Sequence, residues 1–198
     1  MRKMSIFISA AVLAIAGCSS EQDSSTHDSV IVSNVAIEND TTNRETLLLP
    51  GVSAGNIKIN EDAAPVYTNM GKPDAGDAAM QKAVAIWYKN HDPKSDATAV
   101  FSVRDTGDNP VARVKQIRTT SPEFKTGSGI GVNSALADIQ EEYTVKKLAG
   151  YTDEKHKTEI YDSSSGIAFE IGTDLKCKAV LIHPAGEELK ATYLPLRE

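Results

Sequence analysis

Four histidines could form a metal site or act as general bases, and they are scattered along the chain: His27, His91, His156 and His183. No two of them have the H-x-H or H-x-x-x-H spacing that brings two imidazoles from one element to one metal ion. No nucleophile motif accompanies any of them. The sequence therefore predicts no catalytic residues, no metal ligands and no cofactor.

A glycine-rich stretch and several acidic stretches are the other candidates for chemistry. Residues 127–131 read Gly-Ser-Gly-Ile-Gly before a predicted helix, where backbone N–H groups could bind a phosphate. Their spacing does not match the dinucleotide fingerprint, so we interpret them as a tight turn. The turns at 92–96 and 105–109 lack the calcium-loop pattern. The carboxylate pairs that a glycosidase would need are interpreted as solvated faces; they are Glu61-Asp62, Glu141-Glu142, Asp153-Glu154 and Glu187-Glu188.

The N-terminal residues indicate export and a lipid anchor. Two basic residues precede an apolar run over residues 4–16, which is short for a membrane span and typical of a secretory signal peptide. Residues 15–18 read Ile-Ala-Gly-Cys and resemble the lipobox of bacterial lipoproteins. The resemblance implies cleavage after residue 17 and lipidation of Cys18, with a diacylglycerol and an N-acyl chain such as palmitate. Ser19 replaces the aspartate that retains lipoproteins at the inner membrane, which favours the outer membrane.

Composition and charge narrow the classes of function. The chain has 198 residues, 40% hydrophobic and 24% charged, with a formal net charge of −6, as in soluble globular proteins. Without residues 1–17 the formal net charge is −8. The longest run of consecutive Lys and Arg residues is two, so a nucleic-acid partner is not expected. With Cys18 lipidated, Cys177 has no disulfide partner, and the apolar run around it predicts a buried thiol.

The elements that must position these residues are predicted to be short. Residues 18–46 are predicted to be the lipidated cysteine and a flexible tether. The overlapping stretch 29–50 is predicted to be either more tether or an edge strand. Two stretches of the remaining chain align at an offset of 73 residues, which pairs Asn60 with Asn133. A shorter offset pairs Phe101 with Phe169.

Each copy predicts a short helix, over 61–70 and 134–143, followed by three strands. A further short helix is predicted over 76–83. The predicted strands are 84–89, 99–104 and 112–119 in the first copy, and 158–162, 167–171 and 176–183 in the second. The predicted fold class is α+β, with two similar units, 47–124 and 125–198. Each unit is a short helix plus a three-stranded antiparallel meander, and the two units pack together.

The segment 117–139 carries a resemblance of its own. A strand that ends in Ser-Pro leads to the Gly-Ile-Gly-Val turn and a short helix, as in some secreted bacterial proteins. This unit is similar to that of the β-lactamase-inhibitor protein and of small lipoproteins of the barrel-assembly machinery, over residues 99–185 in particular. The resemblance implies a tandem fold and a binding role without catalytic residues.

The expected function is that of a non-catalytic, lipid-anchored outer-membrane protein, on the periplasmic or surface side, that binds another envelope protein. The alternative is an envelope hydrolase with a site between the two units. A binding module should expose an apolar patch on the sheet face opposite the second helix. A hydrolase should gather titratable side chains in a pocket.

Overall fold

The computed structural model describes residues 44–153 and 156–189, which form twelve strands and two helices. Three short strands come first: β1 (Leu47–Leu49), β2 (Ser53–Ala54) and β3 (Ile57–Lys58). Helix α1 (Ala63–Met70) is followed by β4 (Ala75–Ala79), β5 (Lys82–Tyr88), β6 (Ala97–Arg104) and β7 (Ala112–Thr119). Strand β8 (Lys125–Thr126) leads to helix α2 (Leu136–Glu142). The last strands are β9 (Lys146–Asp153), β10 (His156–Ser163), β11 (Ile167–Ile171) and β12 (Cys177–Ile182).

Eight of these strands make one antiparallel sheet. Their order is β4-β5-β6-β7-β12-β11-β10-β9, so β7 and β12 join a first half (α1 and β4–β7) to a second half (α2 and β9–β12). At this joint Ile117 pairs with Ile182. The four short strands form a second sheet in the order β3-β2-β1-β8, in which β1 and β8 are parallel.

One face of the large sheet holds the main core. Side chains of both helices and of the small sheet pack there against the central strands, with Val66 of α1 and Ile139 of α2 in the same cluster as Ile117 and Phe169. Tyr143, directly after α2, packs on Phe169 with ring centroids 5.6 Å apart. This face is therefore the side on which the helices cover the sheet.

The opposite face, called the outer face below, is also buried. It carries one apolar cluster in the first half and another in the second. Between the clusters, Arg118 forms a two-pronged ion pair with Glu170, through N–O distances of 3.0 and 2.8 Å, and the Tyr151 hydroxyl donates to the same carboxylate. Glu170 is 0% exposed. The prediction that the face opposite α2 is an exposed binding surface is therefore wrong.

Local chemistry explains where α1 begins and ends. The Asp62 side chain accepts the N–H of Ala64 at 2.9 Å, and Gly71 follows the helix with φ +78°. Pro65 occupies the third helical position, where a backbone N–H has no acceptor within the helix. The proline is therefore compatible with the helix.

The predicted fold class, α+β with two helix-plus-three-strand units packed together, is wrong. The described chain is mostly β, four strands follow each helix, and all eight belong to one continuous sheet. The missed strands are the two edges, β4 and β9. Ala-Gly-Asp-Ala-Ala has low strand propensity, and β9 is polar and largely exposed.

Other local predictions had mixed outcomes. Residues 76–83 are not a helix but the β4–β5 hairpin, with a two-residue turn in which Met80 and Gln81 have φ of +51° and +65°. Asn60 and Asn133 share a left-handed conformation, with φ of +65° and +72°. Phe101 and Phe169 lie on opposite faces of the sheet, so the alignment of these two is not a structural equivalence.

Candidate functional site

A groove of about 460 Å³ lies beside α1. It lies between that helix, the β2–β3 hairpin and Phe124, and we call it the α1 groove. Its volume falls in the range of ligand sites in proteins. The lining residues are Glu45, Ala54, Asn56, Ile57, Glu61, Pro65, Val66, Asn69, Met70, Thr98 and Phe124.

The β2–β3 hairpin forms one wall because of Gly55. Gly55 has φ +55°, and its N–H donates to Leu47 O at 2.8 Å. A Cβ at this position would lie 2.1 Å from Glu45 O and 3.3 Å from the Phe124 ring. Only glycine therefore lets the hairpin approach residue 45 and the ring so closely.

The floor of the groove is apolar and its margin is polar. Ile57 and Val66 are buried at 9% and 4% exposure, and Met70 and Phe124 are half-buried. Asn56 and Asn69 are exposed at the margin and offer amide donors and acceptors. An elongated molecule with an apolar part and hydrogen-bonding groups fits this arrangement.

The electrostatics of the groove are one-sided. Glu45 and Glu61 are the only charged residues that line it within the described chain. Glu61 is oriented by the backbone, since its Oε1 accepts the N–H of Lys58 at 2.8 Å. Two carboxylates beside an apolar floor attract a cation that carries hydrocarbon.

A smaller cleft of about 210 Å³ lies on the outer face, beside the middle of β7 and the end of β12. Its lining includes Phe101, Gln116 and His183. His183 is fixed from both sides, because Nε2 lies 2.9 Å from Asp162 Oδ1 and Nδ1 lies 3.1 Å from Pro184 O. Both contacts tie the ring to the protein, so we assign it a structural role.

The residues singled out in the sequence do not come together. Cys18 and His27 lie outside the described residues, and the side chain of His156 is not described. His91 Nδ1 lies 2.6 Å from Asp74 Oδ1 at the exposed end of β5. Cys177 is fully buried, and burial raises the pKa of its thiol to about 12, as expected for a core thiol.

The remaining candidates are structural where the structure describes them. Residues 127–131 form a tight turn, with Gly129 N donating to Thr126 O at 2.9 Å. In the acidic turn at 105–109, Asp105 forms an ion pair with Arg113.

The sequence did not predict the groove, although Glu61, which lines it, is among the candidate carboxylates. The sequence predicts that Glu61 and Asp62 are a solvated pair, whereas Asp62 caps α1 and Glu61 lines the groove. The strands over 53–58 have two residues each, which is too short for an alternation of polar and apolar residues to show, so no sequence signal identified the groove.

Comparisons with known proteins identify no relative. No family model matches the sequence, and no curated protein and no solved structure matches it. In the part of the chain that the structure describes, no helix is long and apolar enough to cross a membrane. Across residues 44–153 and 156–189, no group of three or more His, Cys, Asp and Glu side chains is placed to hold a metal ion.

Proposed function

We propose that the chain is a non-catalytic protein of the bacterial cell envelope, anchored in the outer membrane by lipid on Cys18, that binds a segment of another envelope protein in the α1 groove. The signal-peptide pattern and the lipobox-like residues 15–18 support the anchor. The groove, with its apolar floor and polar margin, is the observation that carries the binding role.

The form of the groove favours a polypeptide segment. A floor that includes Ile57 and Val66 accepts one apolar side chain or side-chain stem. Exposed Asn56 and Asn69 at the margin are suited to hydrogen bonding with backbone N–H and C=O groups of an extended chain. One anchored side chain and two amide contacts predict modest affinity, as in transient complexes.

The anchor is tested with two cysteine variants in cells fed with labelled palmitate. Cys18→Ala should abolish labelling and release the protein from the membrane fraction, because a lipid anchor needs that thiol. Cys177→Ala is the matched control and should stay labelled and membrane-bound. Membrane association of Cys18→Ala equal to that of the parent would refute the lipid anchor.

The groove is tested with the full-length chain in a neutral detergent and a panel of fluorescein-labelled peptides, Gly-Ala-Ala-Xaa-Ala-Ala-Gly, blocked at the carboxyl end. Xaa is lysine, norleucine, diaminopropionate or glutamate. Asn69→Trp should fill the groove and abolish binding of every peptide that the parent binds. Ala64→Trp, on an exposed position of the same helix outside the groove, should bind them as the parent does.

Two outcomes would contradict the binding role of the groove. One is that no peptide of the panel binds the parent. The other is that Asn69→Trp and Ala64→Trp bind equally well, which would place the peptide elsewhere. Unfolding midpoints of both variants, compared with the parent, separate a filled groove from a misfolded one.

A further inference from the structure

We infer that the α1 groove selects a basic segment, in which the stem of one lysine or arginine lies on the apolar floor and its cationic head meets Glu45 and Glu61. This inference rests on the proposed function, because it names the partner chemistry of the same groove. It depends on how apolar and charged groups are arranged within the groove.

The shape of the groove matches the two parts of such a side chain. Lysine and arginine carry three or four methylene groups that pack on apolar surface while the charge remains in a wetter region. Ile57, Met70 and Phe124 supply the surface for the stem. The aromatic ring of Phe124 also favours a nearby cation over an anion.

The negative charges of Glu45 and Glu61 disfavour an acidic partner segment. An acidic segment would bring a third carboxylate beside Glu45 and Glu61, with no cation among the described lining residues to offset it. A neutral apolar segment would fill the floor but leave the two carboxylates without a counter-charge. A basic segment satisfies both parts of the groove.

The chain itself does not supply this chemistry in its N-terminal segment. Residues 19–43 contain five acidic residues and no lysine or arginine. A second copy of the chain is also disfavoured as the occupant. Residues 18–198 carry a formal charge of −8, so two copies repel each other. The C-terminal residues 190–198 include Lys190 and Arg197, but they continue from Leu189, which packs on the outer face, whereas the groove lies on the helix side of the sheet. The occupant that we infer is a basic segment of a different protein.

The four peptides described above test this inference by fluorescence anisotropy. Norleucine keeps a hydrocarbon side chain without the charge, and diaminopropionate keeps the charge without the long stem. We expect the lysine peptide to bind about fivefold or more tightly than the norleucine peptide, and about tenfold or more tightly than the diaminopropionate peptide. The glutamate peptide should bind weakest.

Variants of the protein test whether the two groove carboxylates cause the preference for the lysine peptide. Glu45→Gln and Glu61→Gln should each weaken the lysine peptide severalfold and leave the norleucine peptide unchanged, since glutamine keeps the size and the acceptor. Glu142→Gln, at the exposed end of α2, is the matched control and should change neither. Raising the salt concentration should weaken only the charged contact.

The outcomes separate the inference from the proposed function. If lysine and norleucine peptides bind equally and Asn69→Trp abolishes both, the groove binds polypeptide but the basic partner class is wrong. An equal effect of Glu142→Gln and Glu45→Gln would mean that net charge, and not the groove, attracts the peptide. If no peptide binds, the proposed function fails together with the inference.

Discussion

Two aspartate–histidine pairs, one in each half of the large sheet, have the same local design and different surroundings. Asp74 accepts the N–H of Tyr88 at 2.8 Å and contacts His91 at 2.6 Å. Asp162 accepts the N–H of Leu189 at 3.0 Å and contacts His183 at 2.9 Å. The His91 side chain is 77% exposed, whereas that of His183 is 2% exposed.

The difference indicates that burial, more than the hydrogen-bond pattern, determines how much such a pair contributes to the stability of the fold. The Asp74 side chain is 18% exposed, but water can replace it as the partner of the exposed His91 ring, so the net contribution of this pair to folding is small. The buried pair has no such replacement, and it holds the chain after β12 against the outer face. Leu189, whose N–H is bound by Asp162, packs on the outer-face apolar cluster of the second half.

The largest expected effect comes from breaking the buried pair. Asp162→Ala leaves the Leu189 N–H and one ring nitrogen of His183 buried without an acceptor, which should lower the free energy of unfolding by about 3–5 kcal/mol. Asp74→Ala, the matched change in the first half, should lower the free energy of unfolding much less, because water can solvate the groups that it leaves behind. Urea unfolding of both variants beside the parent measures the difference.

Equal losses in the two variants would contradict this account of the pairs. Asp162→Asn refines the test, because asparagine keeps an acceptor for the Leu189 N–H but removes the charge. A loss for Asp162→Asn between those of the parent and Asp162→Ala would divide the effect between hydrogen bonding and charge.

The two helices provide a second comparison of the halves, with a smaller expected effect. Ile139 of α2 is 0% exposed in the closed core, whereas Val66 of α1 is 4% exposed and borders the groove. Ile139→Ala should cost about 2–5 kcal/mol, as large-to-small core changes do. Val66→Ala removes two methyl groups and should cost roughly 1.5 kcal/mol.

Thermal and urea unfolding of these helix variants check the order. If Val66→Ala destabilises the protein as much as Ile139→Ala does, the floor of the groove belongs to the closed core. The groove would then not be a preformed site. The peptide panel applied to Val66→Ala gives an independent measure, because a smaller floor should weaken the lysine and norleucine peptides alike.

The central strands were predictable from the sequence because they are buried on both faces. The predictions for β7, over 112–119, and β11, over 167–171, have the bounds found in the structure. Apolar and β-branched runs between turn residues are sufficient there. The edge strands β4 and β9 were missed because a strand with one neighbour keeps small or polar side chains.

The groove could not be predicted because its residues come from distant positions that share no pattern. Glu45, Ile57, Asn69 and Phe124 meet only after the short β1–β3 segment folds onto the helix side of the large sheet. Strands of two or three residues are too short for periodicity to show. By contrast, the burial of Cys177 followed from the apolar residues around it in the sequence.

The smallest predicted effect concerns the pH dependence of the exposed pair. Hydrogen bonds from the Tyr88 N–H and from His91 hold the pKa of Asp74 below the ordinary carboxyl value of 3.8. A depressed pKa means that the pair's stabilisation is fully present above pH 3.8 and is lost as pH falls through the lower folded value. The Tyr88 amide shift should therefore titrate with a midpoint below 3.8 in the parent and show no such step in Asp74→Asn. A midpoint at or above 3.8 would mean that the Asp74 carboxylate gains nothing from its partners in the folded protein.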